Sequence, residues 1–250
     1  LEDNLSRIIR QPQPQSAFGR QNLAELRSEL DEEWDKIVMG VALSPQNPEN
    51  YRIHAMDLMT LFGPVPGEDL LLKLSRDDNT AVRIKAIRGM VQEPSETQME
   101  RLLELMDDES PQVRRVVCEC LSNLEATVDY DRIQPILVSD DRFESQAARK
   151  LLERQPEDSY RDHVLKTDSQ TEFVRGSLAL MAANRNQENA YAILARVQEF
   201  LDEFISDQTF LEMLRLVQVT IELGEVEAEK IPAFAERIGD EFPSGNSLMN

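Results

Sequence analysis

The sequence is poor in the residues on which most active sites depend. Its 250 residues include two cysteines, two histidines, one tryptophan and nine glycines, and aromatics amount to 6%. Two cysteines cannot build the framework of a small disulfide-stapled fold. Cys118 and Cys120 stand two apart on one predicted helix and point in different directions, so they read as reduced structural thiols. His54 and His163 are far apart in the chain, and no HExxH, GxSxG, CxxC or phosphate-cradling glycine loop accompanies them. The acidic runs Asp31-Glu32-Glu33 and Asp107-Asp108-Glu109 lack the alternating oxygen ligands and central glycine of a Ca²⁺ loop, and read as solvated charge. Neither catalysis nor any metal or cofactor is expected.

Positive charge is also scarce. Lys and Arg number 27 against 47 Asp and Glu, a formal net charge of −20, and the excess is shared almost evenly between the two halves. Phosphate neutralisation supplies most nucleic-acid affinity, so this balance argues against such a partner. No apolar run approaches the roughly 20 residues of a membrane helix. With reduced thiols, that leads to the expectation of a cytoplasmic protein. The chain starts at Leu1 rather than Met, so its beginning says nothing about a leader.

What the chain does contain is a repeat. DDNTAVRIKAIRGM begins at Asp77, and DDESPQVRRVVCECL restarts the pattern at Asp107. In both copies an acidic pair and a few turn residues precede a Val-Arg step. Apolar residues then follow at helical spacing: Val82, Ala86, Ile87 and Met90, then Val113, Val117, Cys118 and Leu121. Fainter copies place the same marker at residues 51, 82, 113, 143 and 174, a spacing of 31, 31, 30 and 31.

Around this register the elements fall in order. Residues 1–19 read as an arm and linker, with Leu5, Ile8 and Ile9 on one helical side before Pro12 and Pro14; residues 1–10 are a candidate for self-association. One long helix is expected from Gln21 to Leu43, and a capping box at Ser95 to Gln98. Ser110-Pro111 opens the helix of the second clear copy. Gly224 ends a late helix as a C′ glycine. A capping helix near Ile231 to Phe242 closes a domain spanning 20–242, and 243–250 reads as a disordered tail.

Helix pairs of this period, with Asp in the turn and Val-Arg opening the second helix, resemble HEAT repeats. The short period is most similar to the HEAT-like repeats first noted in phycobilisome lyases. The resemblance spans roughly residues 21–224 and implies an all-α, right-handed α-solenoid of about six helix pairs plus the capping helix. It also implies that second helices line a concave face, and that the chain holds other proteins. In such arrays the Asp and Arg positions form a ladder between turns, which here would join Asp78, Arg83, Asp108, Arg114 and Arg175. Glu144 and Leu211 occupy the Arg slot of two pairs, so the ladder should break there. The third and sixth residues after each marker point away from the core. They make two stripes: His54, Lys85, Val116, Gln146 and Ser177, and Asp57, Arg88, Glu119, Arg149 and Leu180. Mixed polar stripes with an apolar end suit a protein partner better than a phosphate backbone. The expectation is therefore a non-enzymatic protein-binding scaffold. The alternatives are a lyase-like subunit handling a chromophore or modifying a partner, and a purely structural spacer.

Overall fold

The computed structural model describes residues 2–11 and 13–239. Among them are fifteen α-helices and no strand. The chain divides into two compact units, Leu1–Cys120 and Leu121–Asn250. The expected tail at 243–250 lies outside the described residues.

Unit 1 contains α1 (Glu2–Ile9), α2 (Ala17–Leu30), α3 (Glu32–Leu43), α4 (Glu49–Phe62), α5 (Glu68–Leu74), α6 (Thr80–Met90), α7 (Glu96–Glu104) and most of α8 (Pro111–Asn123). α3 packs on α4, α5 on α6, and the second helices α4 and α6 on each other. The core residues are those the repeat register names: Ala55, Met56 and Met59, then Val82, Ala86, Ile87 and Met90, all buried. Helix starts follow ordinary capping chemistry. Asn79 accepts from the backbone N–H groups of Ala81 and Val82, and Ser95 with Gln98 forms the full capping box.

Two expectations change in this unit. The single helix over 21–43 is two, broken at Asp31, whose φ of 42° no helix accommodates. With ψ at −112° it also lies outside the left-handed helical well, and neither Gly nor Pro marks the break. Beyond it Trp34 is fully buried, donating its indole N–H to Gly63 O at 2.8 Å and meeting Phe62 edge-on. Gly63 itself holds φ 79°, a conformation that favours glycine. The arm is also not loose. α1 packs on α4, Ile8 and Ile9 are buried, and Arg7 reaches Glu29. Ile8 and Ile9, two of the three apolar side chains expected to join two copies, are thus covered by their own unit, while Leu5 is half-buried.

Unit 2 contains α9 (Tyr130–Leu137), α10 (Arg142–Leu152), α11 (Arg161–Lys166), α12 (Gln170–Ala183), α13 (Gln187–Phe200), α14 (Asp207–Leu223) and α15 (Ile231–Gly239). α9 pairs with α10, α11 with α12 and α13 with α14, while α10, α12 and α14 pack in succession as second helices. Phe173 and Phe200 meet in the core at 5.1 Å. Phe143, expected as a core marker, is instead 52% exposed beneath the Arg142 guanidinium. Gly224 ends α14 with an ordinary φ of −89°, and the positive φ falls on Glu225. Glycine is required there for space, because a Cβ would lie 2.3 Å from Ala190 Cβ.

Candidate interaction surface

The ladder must be separated from any binding surface, because both use arginine. In unit 1 it has a regular form. Arg52 donates through Nε to Ala42 O (3.0 Å) in the last turn of α3, and clamps both oxygens of Asp77 in the turn before α6. Arg83 repeats the arrangement one pair later. Its Nη1 donates to Asp77 O and Asp78 O at 2.8 and 3.1 Å, and its Nη2 donates to Asp108 Oδ1 at 2.9 Å. Each of these carboxylates also accepts a turn amide, from Asn79 or Ser110 respectively. Arg114 donates to Asp108 O and Glu109 O. The guanidinium of Arg52 pulls the Asp77 carboxyl below its usual range, against the opposing effect of burial.

Asp77, not Asp78, is therefore the first carboxylate of the ladder. Asp78 is exposed and contributes only its carbonyl. Aligning the doublets Asp77-Asp78 and Asp107-Asp108 end to end hides this. Counting back five residues from Val82 and Val113 finds Asp77 and Asp108.

In unit 2 the substitution of Glu144 for arginine changes the pattern. Glu144 is buried and accepts from Ser139 Oγ at 2.6 Å. Arg175 reaches back from the following pair and donates to Leu137 O (3.0 Å) and Ser139 O (2.7 Å). The interruption expected at Glu144 is thus bridged in reverse. A second polar tie surrounds Glu172, which accepts from Tyr130 (2.7 Å), Gln134 (2.9 Å) and Thr167 (3.0 Å). Burial, reinforced by Glu172, pushes the Tyr130 hydroxyl far up, so it serves as a donor and not a base. His163 stacks on Tyr130 at 5.0 Å. Nothing in the sequence pattern pointed to this cluster.

The two stripes on the second helices are only partly open. In unit 1 Arg88 and Glu119 are exposed, and Glu119 pairs with Arg115 at 3.0 Å. Lys85 pairs with Asp57, tying α6 to α4. His54 is half-buried, and burial lowers its pKa despite the nearby Asp57. Val116 is buried. In unit 2 Gln146 is exposed and Arg149 half-buried, while Ser177 and Leu180 are fully buried. α12 is packed by α9, α10, α11, α13 and α14, which explains why its outward positions are covered. Val116, Ser177 and Leu180 are therefore closed to a partner, and the exposed stripe positions are Arg88, Glu119 and Gln146, with Arg149 half-buried.

Both cysteines are buried and outside any disulfide, and burial, with Glu119 beside it, pushes the Cys120 thiol up to about 11, away from the reactive thiolate. Among the described residues no group of three or more His, Cys, Asp or Glu is placed to hold a metal ion, and no helix is long and apolar enough to cross a membrane.

Within each unit, helix pairs stack with second helix on second (α4 on α6; α10 on α12 on α14) and first on first (α5 on α7; α11 on α13), the arrangement of a helical-repeat protein. Residues 67–153 match the family model described as HEAT repeats, which supports the HEAT-repeat family for this chain. No curated protein matches it. HEAT repeats are generally non-enzymatic scaffolds for protein interaction.

Proposed function

We propose that this protein is a non-enzymatic scaffold that holds another protein against its second helices. The match of residues 67–153 to HEAT repeats carries the reading, and each unit taken by itself offers second-helix positions for it: exposed Arg88 and Glu119 in unit 1, exposed Gln146 and half-buried Arg149 in unit 2. Those side chains mix both charges with a neutral amide, which suits the polar rim of a protein interface. A cytoplasmic location, with Cys118 and Cys120 reduced, belongs to the same reading.

The test is affinity capture from cell extract with the full chain as bait, beside a variant carrying Arg88→Glu, Gln146→Glu and Arg149→Glu. Both must first show equal helical content and thermal midpoint. A protein held stoichiometrically by the parent and lost by the variant is the expected result. A partner kept by both would move the site off these helices, and no partner for either would favour a spacer. A bait that carried visible absorbance would favour the chromophore-handling alternative.

A further inference from the structure

Unit 2 contains a groove of about 430 Å³ bordered by the second helices α10, α12 and α14. Arg142, Arg149, Arg175 and Arg215 line it against a single carboxylate, Glu212. In a chain of net charge −20 this is a local reversal of sign. The volume lies within the range of ligand-binding clefts.

The arginines are not saturated by carboxylates. Arg175 is fixed by Leu137 O and Ser139 O, and its Nε stands 3.9 Å from Glu212 Oε2, beyond hydrogen-bond reach. Arg149 Nε is buried without a hydrogen-bond partner, with Glu153 Oε1 at 3.8 Å. Arg215 bonds the neutral Gln218 at 2.7 Å. Between these cations lie two leucines, half-buried Leu178 and 41% exposed Leu211. Leu211 stands where most other pairs carry the ladder arginine, so the departure from the repeat opens an apolar contact where a salt bridge would otherwise close the turn.

We propose that this groove binds an acidic segment of a partner protein in which carboxylates alternate with an apolar side chain. The inference rests on the scaffold reading above and names the chemistry of the partner. Arginine clusters recognise acidic motifs through planar, bidentate forks. The leucines take the apolar residue, which a small inorganic anion would leave unused. A nucleic-acid strand would have to approach through the repulsive field of the whole acidic chain.

Fluorescence anisotropy of the full chain with a labelled peptide of repeated Asp-Glu-Leu tests it. The parent should bind, and binding should weaken with added salt. Arg149→Glu with Arg215→Glu should weaken it about tenfold or more, because buried or partly buried charge contacts act chiefly on dissociation. Glu212→Gln should tighten it a few-fold by removing the groove's one like charge, a gain that mere damage to the fold could not produce. Arg20→Glu, the same charge change placed at an exposed position of α2 in unit 1, should leave it unchanged. Equal loss on Arg20→Glu would reduce the effect to net charge and overturn the groove. So would unaltered affinity in the double variant, or equal binding of a repeated Asp-Glu-Gly peptide. Tighter binding of a labelled oligoribonucleotide, lost with the same arginines, would assign the groove to nucleic acid instead. Partner capture that survives while the peptide fails would sink this assignment alone; failure of both would sink the scaffold reading with it.

Discussion

At the scale of single residues, the ladder explains why particular carboxylates matter in a chain with many. Arg52 is only 3% exposed, and Asp77 supplies its sole carboxylate partner among the described contacts. Asp77→Asn would leave that guanidinium buried with its charge uncompensated, a loss of roughly 2–4 kcal/mol near neutral pH. The pH dependence follows from the sign of the shift. The folded carboxyl titrates below its ordinary value, so the pair's stabilisation is complete above the unfolded pKa near 4 and disappears as pH falls through the folded value. Urea unfolding of parent and variant should differ most at pH 7 and converge on acidification below about pH 4. A constant difference across that window would mean that the ion pair is not what the substitution removes. Asp77 was only partly legible in the sequence: the doublet Asp77-Asp78 offers two candidates, and the five-residue count to Val82 is what separates them.

At the scale of elements, periodicity located nearly every helix because the core positions recur with the repeat, and the structure buries Val82, Val113 and Val174 alike. Three local events escaped that reasoning. The break at Asp31 lies inside an uninterrupted apolar pattern. The marker Phe143 leaves the core although its helix keeps Ala147, Ala148 and Leu151 inside. Gly224 matches a helix-end glycine in sequence, yet it is needed for the approach of α14 to α13. A Cβ there would meet Ala190 Cβ at 2.3 Å and Thr220 O at 2.6 Å, neither of which can swing aside. Gly224→Ala should therefore destabilise the chain by about 1–3 kcal/mol, as overpacking does. Thermal unfolding will show it, and a midpoint equal to or above the parent's would contradict the packing described.

At the scale of the whole molecule, negative charge is spread along the chain, while arginines gather in the ladder and in the unit 2 groove. The groove could not be read in advance. Arg142, Arg175 and Arg215 sit on three helices, and only Arg149 fell on a stripe defined by the repeat register. The stripes mispredicted Ser177 and Leu180 because one outward register assumes equally open second helices, whereas α12 is covered by its neighbours, and Val116 on α8 is buried as well. What survives is a short set of exposed or half-exposed positions on second helices, in a chain whose residues 67–153 match HEAT repeats.

The measurement that tests the scaffold claim most directly is amide hydrogen exchange of the full chain with and without the captured partner. Binding to second helices should slow exchange in α6, α10 and α14, whose opening a bound partner opposes. The first helices α5, α9 and α13 should be nearly unchanged. Protection confined to those first helices, or to the arm at 2–11, would contradict the account.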